Sequence, residues 1–295
     1  MALPQIDVAR AAAFVRAHGS AVDVARLEGI LGREEPDRSV VKALEGVQNR
    51  DGGFPALAVS RRGAPGLGAG AAPELAVGPD QAPDAPPGPQ ETAAASSVAA
   101  TCTLLAWLRD IPPLAGSPMA GRAVSFVRRS QQVDGSWVEP GHSAGAPSPE
   151  HVTALAAYTL LVMEPEHPDP IVRSARWLRA ALNGGPERAD SPTLIFAAAL
   201  WSRPPVGAPV DPGAEALRSL LRGRALTAGE LTLWLTTFVE LGLEARHLGL
   251  AVELLERLAG LQEPDGGWPA EGAHRVEATL GALRAFRGFG LIAPG

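Results

Sequence analysis

Cysteine is nearly absent from this chain of 295 residues: Cys102 stands alone, which excludes an internal disulfide and a zinc site built from several thiolates. It lies in the apolar run Val98 to Leu108, the setting of a small core residue. Lysine is just as rare, with Lys42 the only one, and 26 basic residues against 32 acidic ones leave a net charge of −6. A polyanion-binding surface needs clustered Lys and Arg to neutralise phosphates, so nucleic acid is not an expected partner. No stretch approaches the ~18 uncharged apolar residues of a membrane span. The opening MALPQIDVARAAAFVRAHGS lacks the basic-then-apolar pattern of a secretory leader. These absences predict a cytoplasmic protein without a transmembrane segment. Period-two alternation and tight hairpin signals are missing as well, which argues against a sheet.

What the chain has instead is a repeat. One heptapeptide occurs three times, as Gln48 to Phe54 (QNRDGGF), Gln131 to Trp137 (QQVDGSW) and Gln262 to Trp268 (QEPDGGW). Each copy ends an amphipathic helix; in the helix Leu248 to Leu261, Leu248, Ala251, Val252, Leu255 and Leu258 share one face, with Glu253, Glu256 and Arg257 on another. Within the motif, Gly permits the positive φ of a tight turn, Asp accepts from nearby backbone N–H groups, the aromatic covers the turn and Gln ties the helix end to it. A helix apolar around most of its circumference follows each copy: Thr92 to Leu108, His151 to Met163 and Glu277 to Phe286. Such helices are buried on both sides.

The alternation continues where the heptapeptide is missing. Ile171 to Leu182 turns Arg173, Arg176 and Arg179 outward and precedes the apolar Pro192 to Trp201; Ala214 to Leu221 precedes Glu230 to Leu241. Ile6 to Ala17 and Ser20 to Leu31 add one more pair. About twelve helices in six outer-then-inner pairs predict an all-α, (α/α)6 toroid of six helical hairpins over residues 1–295. The Gly/Ala/Pro-rich stretch 57–89 then reads as a long loop at one mouth of the ring.

The three heptapeptides resemble the Gln-x-x-Asp-Gly-x-Trp turns of the prenyltransferase and squalene-cyclase repeat superfamily, which includes squalene–hopene cyclases, class II diterpene cyclases and the β subunits of protein prenyltransferases. The resemblance runs from about Val40 to Phe286. It implies a terpenoid cyclase-like toroid with a deep apolar cavity for an isoprenoid or similar chain. Class II cyclases of this group protonate their substrate with the central Asp of an Asp-x-Asp-Asp-Thr motif. No such motif occurs here; aligned on the Thr, Pro149-Glu150-His151-Val152-Thr153 and Arg275-Val276-Glu277-Ala278-Thr279 are closest and set His151 and Glu277 at the acid position. The zinc-binding Asp-x-Cys pair of prenyltransferases is also lacking, since Ala100 and Thr101 precede Cys102, and Asp80 and Asp84 are too loosely spaced for a magnesium site. No cofactor is expected.

Candidate site residues follow. His151 and Glu277 are the catalytic candidates; Glu91, Glu150, Asp190, Ser191 and Glu230 also fall in or near first turns, where acids commonly cap and offset the helix dipole. Trp107, Tyr158, Phe196, Trp201, Trp234, Phe238 and Phe286 lie on inner helices, and the first six are expected to line the cavity; the plainer alternative is that they fill the space between two rings of helices. Trp234 and Phe238, at i and i+4, share a face. His142, His274 and His151 near one mouth suggest a metal site only in outline, for no ligand spacing supports one. Two functions remain open: a terpenoid-cyclase-like enzyme of isomerase type, in secondary metabolism, acting by acid–base chemistry on an isoprenoid-like chain, or a non-catalytic lipid-binding or partner subunit with the same fold.

Overall fold

A computed structural model of the chain describes residues 4–32, 38–56, 95–140, 147–183, 185–203, 212–270 and 274–293. Thirteen α-helices account for nearly all regular structure among them, so the chain is all-α. Six helices are amphipathic: α1 (Val8–His18), α3 (Arg38–Val47), α6 (Pro118–Arg129), α8 (Pro168–Leu182), α10 (Pro212–Arg222) and α12 (Leu248–Ala259). In α6, for instance, Met119, Ala120, Ala123, Val124 and Val127 are buried, whereas Arg122 and Arg129 are exposed. Six others are buried nearly all round: α2 (Ala21–Leu31), α4 (Val98–Arg109), α7 (Pro149–Met163), α9 (Ser191–Ser202), α11 (Ala228–Leu241) and α13 (His274–Gly288). Every residue of α9 except Pro192 is buried. The thirteenth, α5 (Pro112–Ala115), is a single turn.

The buried helices start at well-defined caps. Ser20, Ser97, Ser148, Asp190 and Thr227 each accept a hydrogen bond from the backbone N–H three residues on, and Asp23 and Glu230 return the bond in capping boxes. Asp190 and Glu230 thus do the capping work expected of first-turn acids. Proline opens α6, α7, α8 and α10, where its missing N–H costs nothing.

Each buried helix packs on the next: α4 on α7, α7 on α9, α9 on α11, α11 on α13 and α13 on α2. Between α2 and α4 the contact is close, since a Cβ on Gly29 would run into the carbonyl of Asp110, the residue that ends α4. The amphipathic helices lie against this series, α6 on α4 and α7, α8 on α7 and α9, α10 on α9, α12 on α11, and α1 on α13 and α2.

The three heptapeptides act as clips from one amphipathic helix to another. Gln48 donates through Nε2 to Gly52 O inside its own turn and to Met119 O in the first turn of α6, both at 2.9 Å. Gln131 does the same to Gly135 O (3.1 Å) and to Pro170 O of α8 (2.8 Å). Gln262 donates to Gly266 O (3.1 Å) and to Asp7 O, the cap of α1 (3.0 Å). The last clip therefore joins the end of α12 to the beginning of the chain. Gly52, Gly135 and Gly266 have φ of 90°, 96° and 93°, and in each case a Cβ would collide with backbone of the clipped helix, at Arg122, Arg173 and Arg10. Glycine is required there for both reasons.

The motif aromatic is the core anchor of each turn. Phe54, Trp137 and Trp268 are fully buried. Their backbone N–H groups donate to the hydroxyls of Thr101, Thr153 and Thr279, and the two indoles donate back to Val127 O and Leu258 O at 2.7 Å. The three aromatic side chains belong to one hydrophobic cluster with the buried helices.

The stretch 57–89 lies outside the described residues. Beside it stands the one departure from the expected absence of strands among the described residues: Phe54–Pro55 pairs antiparallel with Ser96–Ser97, in register Phe54 with Ser97 and Pro55 with Ser96. The exit of the first heptapeptide and the approach to α4 run side by side, and a two-residue ladder satisfies their backbone groups.

Candidate functional site

All six buried helices contribute to the wall of one cavity of about 940 Å³. It extends from the N-terminal ends of α11 and α13, at Thr227, Ala228 and His274, to the C-terminal ends of α4 and α11, at Arg109 and Glu240. Leu105, Leu155, Met163, Leu226, Leu233 and Leu261 supply much of its apolar surface. On α11 the cavity face is Thr232, Thr236 and Glu240, spaced one turn apart along one stripe.

One side of the cavity is ionic. The Arg26 guanidinium, 2% exposed, donates through Nε to Asp110 Oδ2 (2.8 Å) and as a fork to Glu277, Nη1 to Oε2 at 2.5 Å and Nη2 to Oε1 at 3.0 Å. It also lies 3.7 Å from the Asp23 carboxylate and 5.2 Å over the ring of Trp107. The Trp107 indole N–H donates to Glu277 Oε1 at 3.2 Å. Arg284 reaches the other oxygen of Asp110 at 3.3 Å and also donates to Glu240. Arg109 and the Tyr158 hydroxyl donate to Glu240 as well. A continuous chain of partners thus runs Tyr158, Glu240, Arg284, Asp110, Arg26, Glu277, Trp107, joining five helices.

Burial and pairing compete at the arginines and the tyrosine of this chain. Burial opposes the charge on Arg26, but the carboxylates of Glu277 and Asp110 outweigh it and hold its value above that of an ordinary arginine. The same competition, between burial and the carboxylates Asp110 and Glu240, raises Arg284. Burial pushes the Tyr158 hydroxyl well above its ordinary range, and the neighbouring Glu240 charge adds to the shift. Cys102, also on the cavity wall, is pushed up to about 12 by burial, which favours the neutral thiol.

Among the sequence candidates, Trp107, Tyr158, Phe196 and Glu277 border the cavity. Tyr158 and Phe196 touch, with ring centroids 4.9 Å apart. His151 does not border it. Its Nδ1 lies 3.2 Å from Thr193 Oγ1 and 3.3 Å from Asp190 Oδ2, at the cap of α9. Burial would raise the Asp190 carboxyl, but hydrogen bonds from His151 and Thr193 hold it at about 2. Trp201 faces α8 instead, donating to Ala175 O at 3.3 Å beneath the Arg179 guanidinium. Trp234 and Phe238 share a face as their spacing predicts, with centroids 6.2 Å apart, yet that face is turned from the cavity and stacks Phe238 on His247. The rotation follows from helix geometry: Thr232, Thr236 and Glu240 hold the cavity side, and residues 234 and 238 lie about 200° from it. Phe286 packs against Trp268, at 6.4 Å. His274 borders the cavity, whereas Glu91 and His142 lie outside the described residues. Among the described residues no group of three or more His, Cys, Asp or Glu side chains is arranged to hold a metal ion.

The sequence reading missed Arg26, Arg109, Asp110, Glu240 and Arg284. A usable signal existed. Arg26, Glu240 and Arg284 lie within the second, inner helix of a predicted pair, Arg109 and Asp110 directly follow another, and a charge at such a place must be paired or line a cavity. No helix among the described residues is long and apolar enough to cross a membrane. Compared with known proteins, the chain matches no family profile and no curated protein sequence.

Proposed function

We propose that the six buried helices close into the inner ring of an (α/α)6 toroid of the squalene-cyclase and prenyltransferase repeat type, and that the protein binds an apolar, isoprenoid-like chain in the central cavity. The observation that carries this reading is a cavity of about 940 Å³ with walls from all six helices, within the usual size range for small-molecule sites. The clip from Gln262 to the first helix supports the closed ring, because it joins the last motif to the first amphipathic helix as the other two join theirs. In this role the protein is a lipid-binding module, alone or as the subunit of a partner.

Acid–base catalysis by Glu277 is the second reading, favoured by its place two residues before Thr279 and by a side chain 45% exposed on the cavity wall. A cyclase acid must donate a proton. Glu277 instead accepts two hydrogen bonds from Arg26 and one from Trp107. Glu240 likewise accepts from Tyr158, Arg109 and Arg284. Binding without turnover is therefore the reading supported best.

Titration calorimetry with farnesol and geranylgeraniol tests it: saturable binding at one site per chain is expected, and Leu233→Trp, which fills cavity space, should abolish it while leaving the fold intact. Absence of binding to the wild-type protein, or unchanged binding by the Trp variant, refutes the cavity as the site.

A further inference from the structure

The cavity is bordered differently at its two ends. At the N-terminal ends of α11 and α13, residues outside the buried helices reach it: Leu226, Thr227, Leu261, Pro269 and Ala270 all border it. Thr227, Ala270 and His274 are exposed there. Toward the C-terminal ends the wall stops at Arg109, Met163, Glu240 and Arg284, on the helices themselves. Among the described residues, none of 110–117, 164–167, 242–247 or 285–293 borders the cavity. The side chains at this second end are tied across the interior. Glu240 of α11 accepts from Arg109 of α4, Tyr158 of α7 and Arg284 of α13. Neither α4 nor α7 is next to α11 in the packing order, so two of these bonds span the interior instead of a seam between neighbours. Arg284 spans it too, donating through Nη1 to Ala106 O of α4 at 3.5 Å. Little of this cluster is accessible: the side chains of Glu240, Arg109 and Arg284 are 11%, 16% and 22% exposed, and Tyr158 is buried. A carboxylate with three donors, two of them charged, is held firmly. An apolar chain passing between these groups would have to part paired charges without replacing their hydrogen bonds.

We infer that the cavity is a cup with one entrance, between the N-terminal ends of α11 and α13, and that the side chains gathered on Glu240 form its floor, so that a ligand chain enters and leaves on one side only. This rests on the reading of the cavity as a lipid site. Cys102 is fully buried, so a thiol introduced at the surface is the accessible target for a maleimide. Ala270→Cys at the entrance and Ala245→Cys in the turn that follows α11, both at exposed positions, are each given the same bulky maleimide adduct. Association of farnesol is then followed by stopped-flow tryptophan fluorescence, since Trp107 borders the cavity. The Ala270→Cys adduct should slow association at least tenfold, and the Ala245→Cys adduct should change it less than twofold. Arg109→Ala combined with Glu240→Ala removes one charge of each sign from the floor; in that background the entrance adduct should slow association threefold or less, because the second end is then open. The two adducts on the unaltered floor decide the entrance whether or not this double variant keeps its helical circular dichroism. Equal slowing by both adducts, slowing by the Ala245→Cys adduct alone, or no slowing by either overturns the inference while leaving the lipid site standing. A folded double variant in which the entrance adduct still slows association tenfold overturns the role of Glu240, and failure of the unmodified wild-type protein to bind farnesol overturns both the entrance and the lipid site.

Discussion

Replacing Arg26 by Met keeps much of the side-chain volume and removes the charge that ties α2 to α4 and α13. Asp110 is the partner that decides the size of the effect, because it is as buried as Arg26, each 2% exposed, and its Oδ2 loses its 2.8 Å contact. Breaking a buried pair by removing one partner costs about 3–5 kcal/mol. Two features place the loss at the lower end. Asp110 keeps Arg284 at 3.3 Å, and Glu277, with its side chain 45% exposed, regains solvent. A loss of about 3 kcal/mol, at about 2 °C per kcal/mol for a chain of this size, lowers the melting temperature by about 6 °C. Urea and thermal unfolding followed by circular dichroism measure it, and a double-mutant cycle with Asp110→Asn isolates the pair. The double variant should lose less than the sum of the two single variants, by a coupling of about 1–3 kcal/mol. An Arg26→Met protein within about 0.5 kcal/mol of wild type, the range of an ordinary surface change, or strict additivity in the cycle, refutes the view of this network as a coupled buried unit.

Trp268→Ala empties a fully buried site in the clip between α12 and α1 and should cost about 3–5 kcal/mol in the same unfolding assay, with farnesol affinity per folded molecule unchanged. A variant that melts like the wild type but loses ligand would move Trp268 into the site. Tyr158 is the only tyrosine, so ultraviolet absorbance of tyrosinate reports it alone. Its folded value is raised above the ordinary 10.0, so the stability it contributes is present below pH 10 and is lost as pH rises through the folded value. Tyrosinate should therefore appear only with unfolding, and ionisation near pH 10 in the folded protein would contradict the buried contact with Glu240. Glu277→Gln retains an acceptor for Trp107 but loses the charge facing Arg26, so lipid binding should persist with lower stability. If any isoprenoid proves to be turned over by the wild-type protein, loss of turnover in this variant with binding retained would favour the catalytic reading over the binding one.

Much of the helical organisation was legible in the amino-acid sequence because it depends on local chemistry. The alternation of amphipathic and all-apolar helices reflects periodicity, and the turns at Gly52, Gly135 and Gly266 reflect a backbone conformation that glycine adopts without strain. The Ser, Thr and Asp caps are local as well, since each side chain bonds a backbone N–H three residues away. What lay beyond it depends on groups far apart in the chain. That Gln262 clips the first helix, 255 positions away, and that Arg26 forks onto Glu277, 251 positions away, are facts of assembly. The aromatic residues of α11 mark the boundary between the two kinds of information. Periodicity establishes that Trp234 and Phe238 share a face, but in a helix with no broad polar side nothing local says which way that face turns. Packing decided it, placing the aromatics toward His247 and leaving Thr232, Thr236 and Glu240 to the cavity, where Glu240 finds Tyr158 and two arginines from other helices.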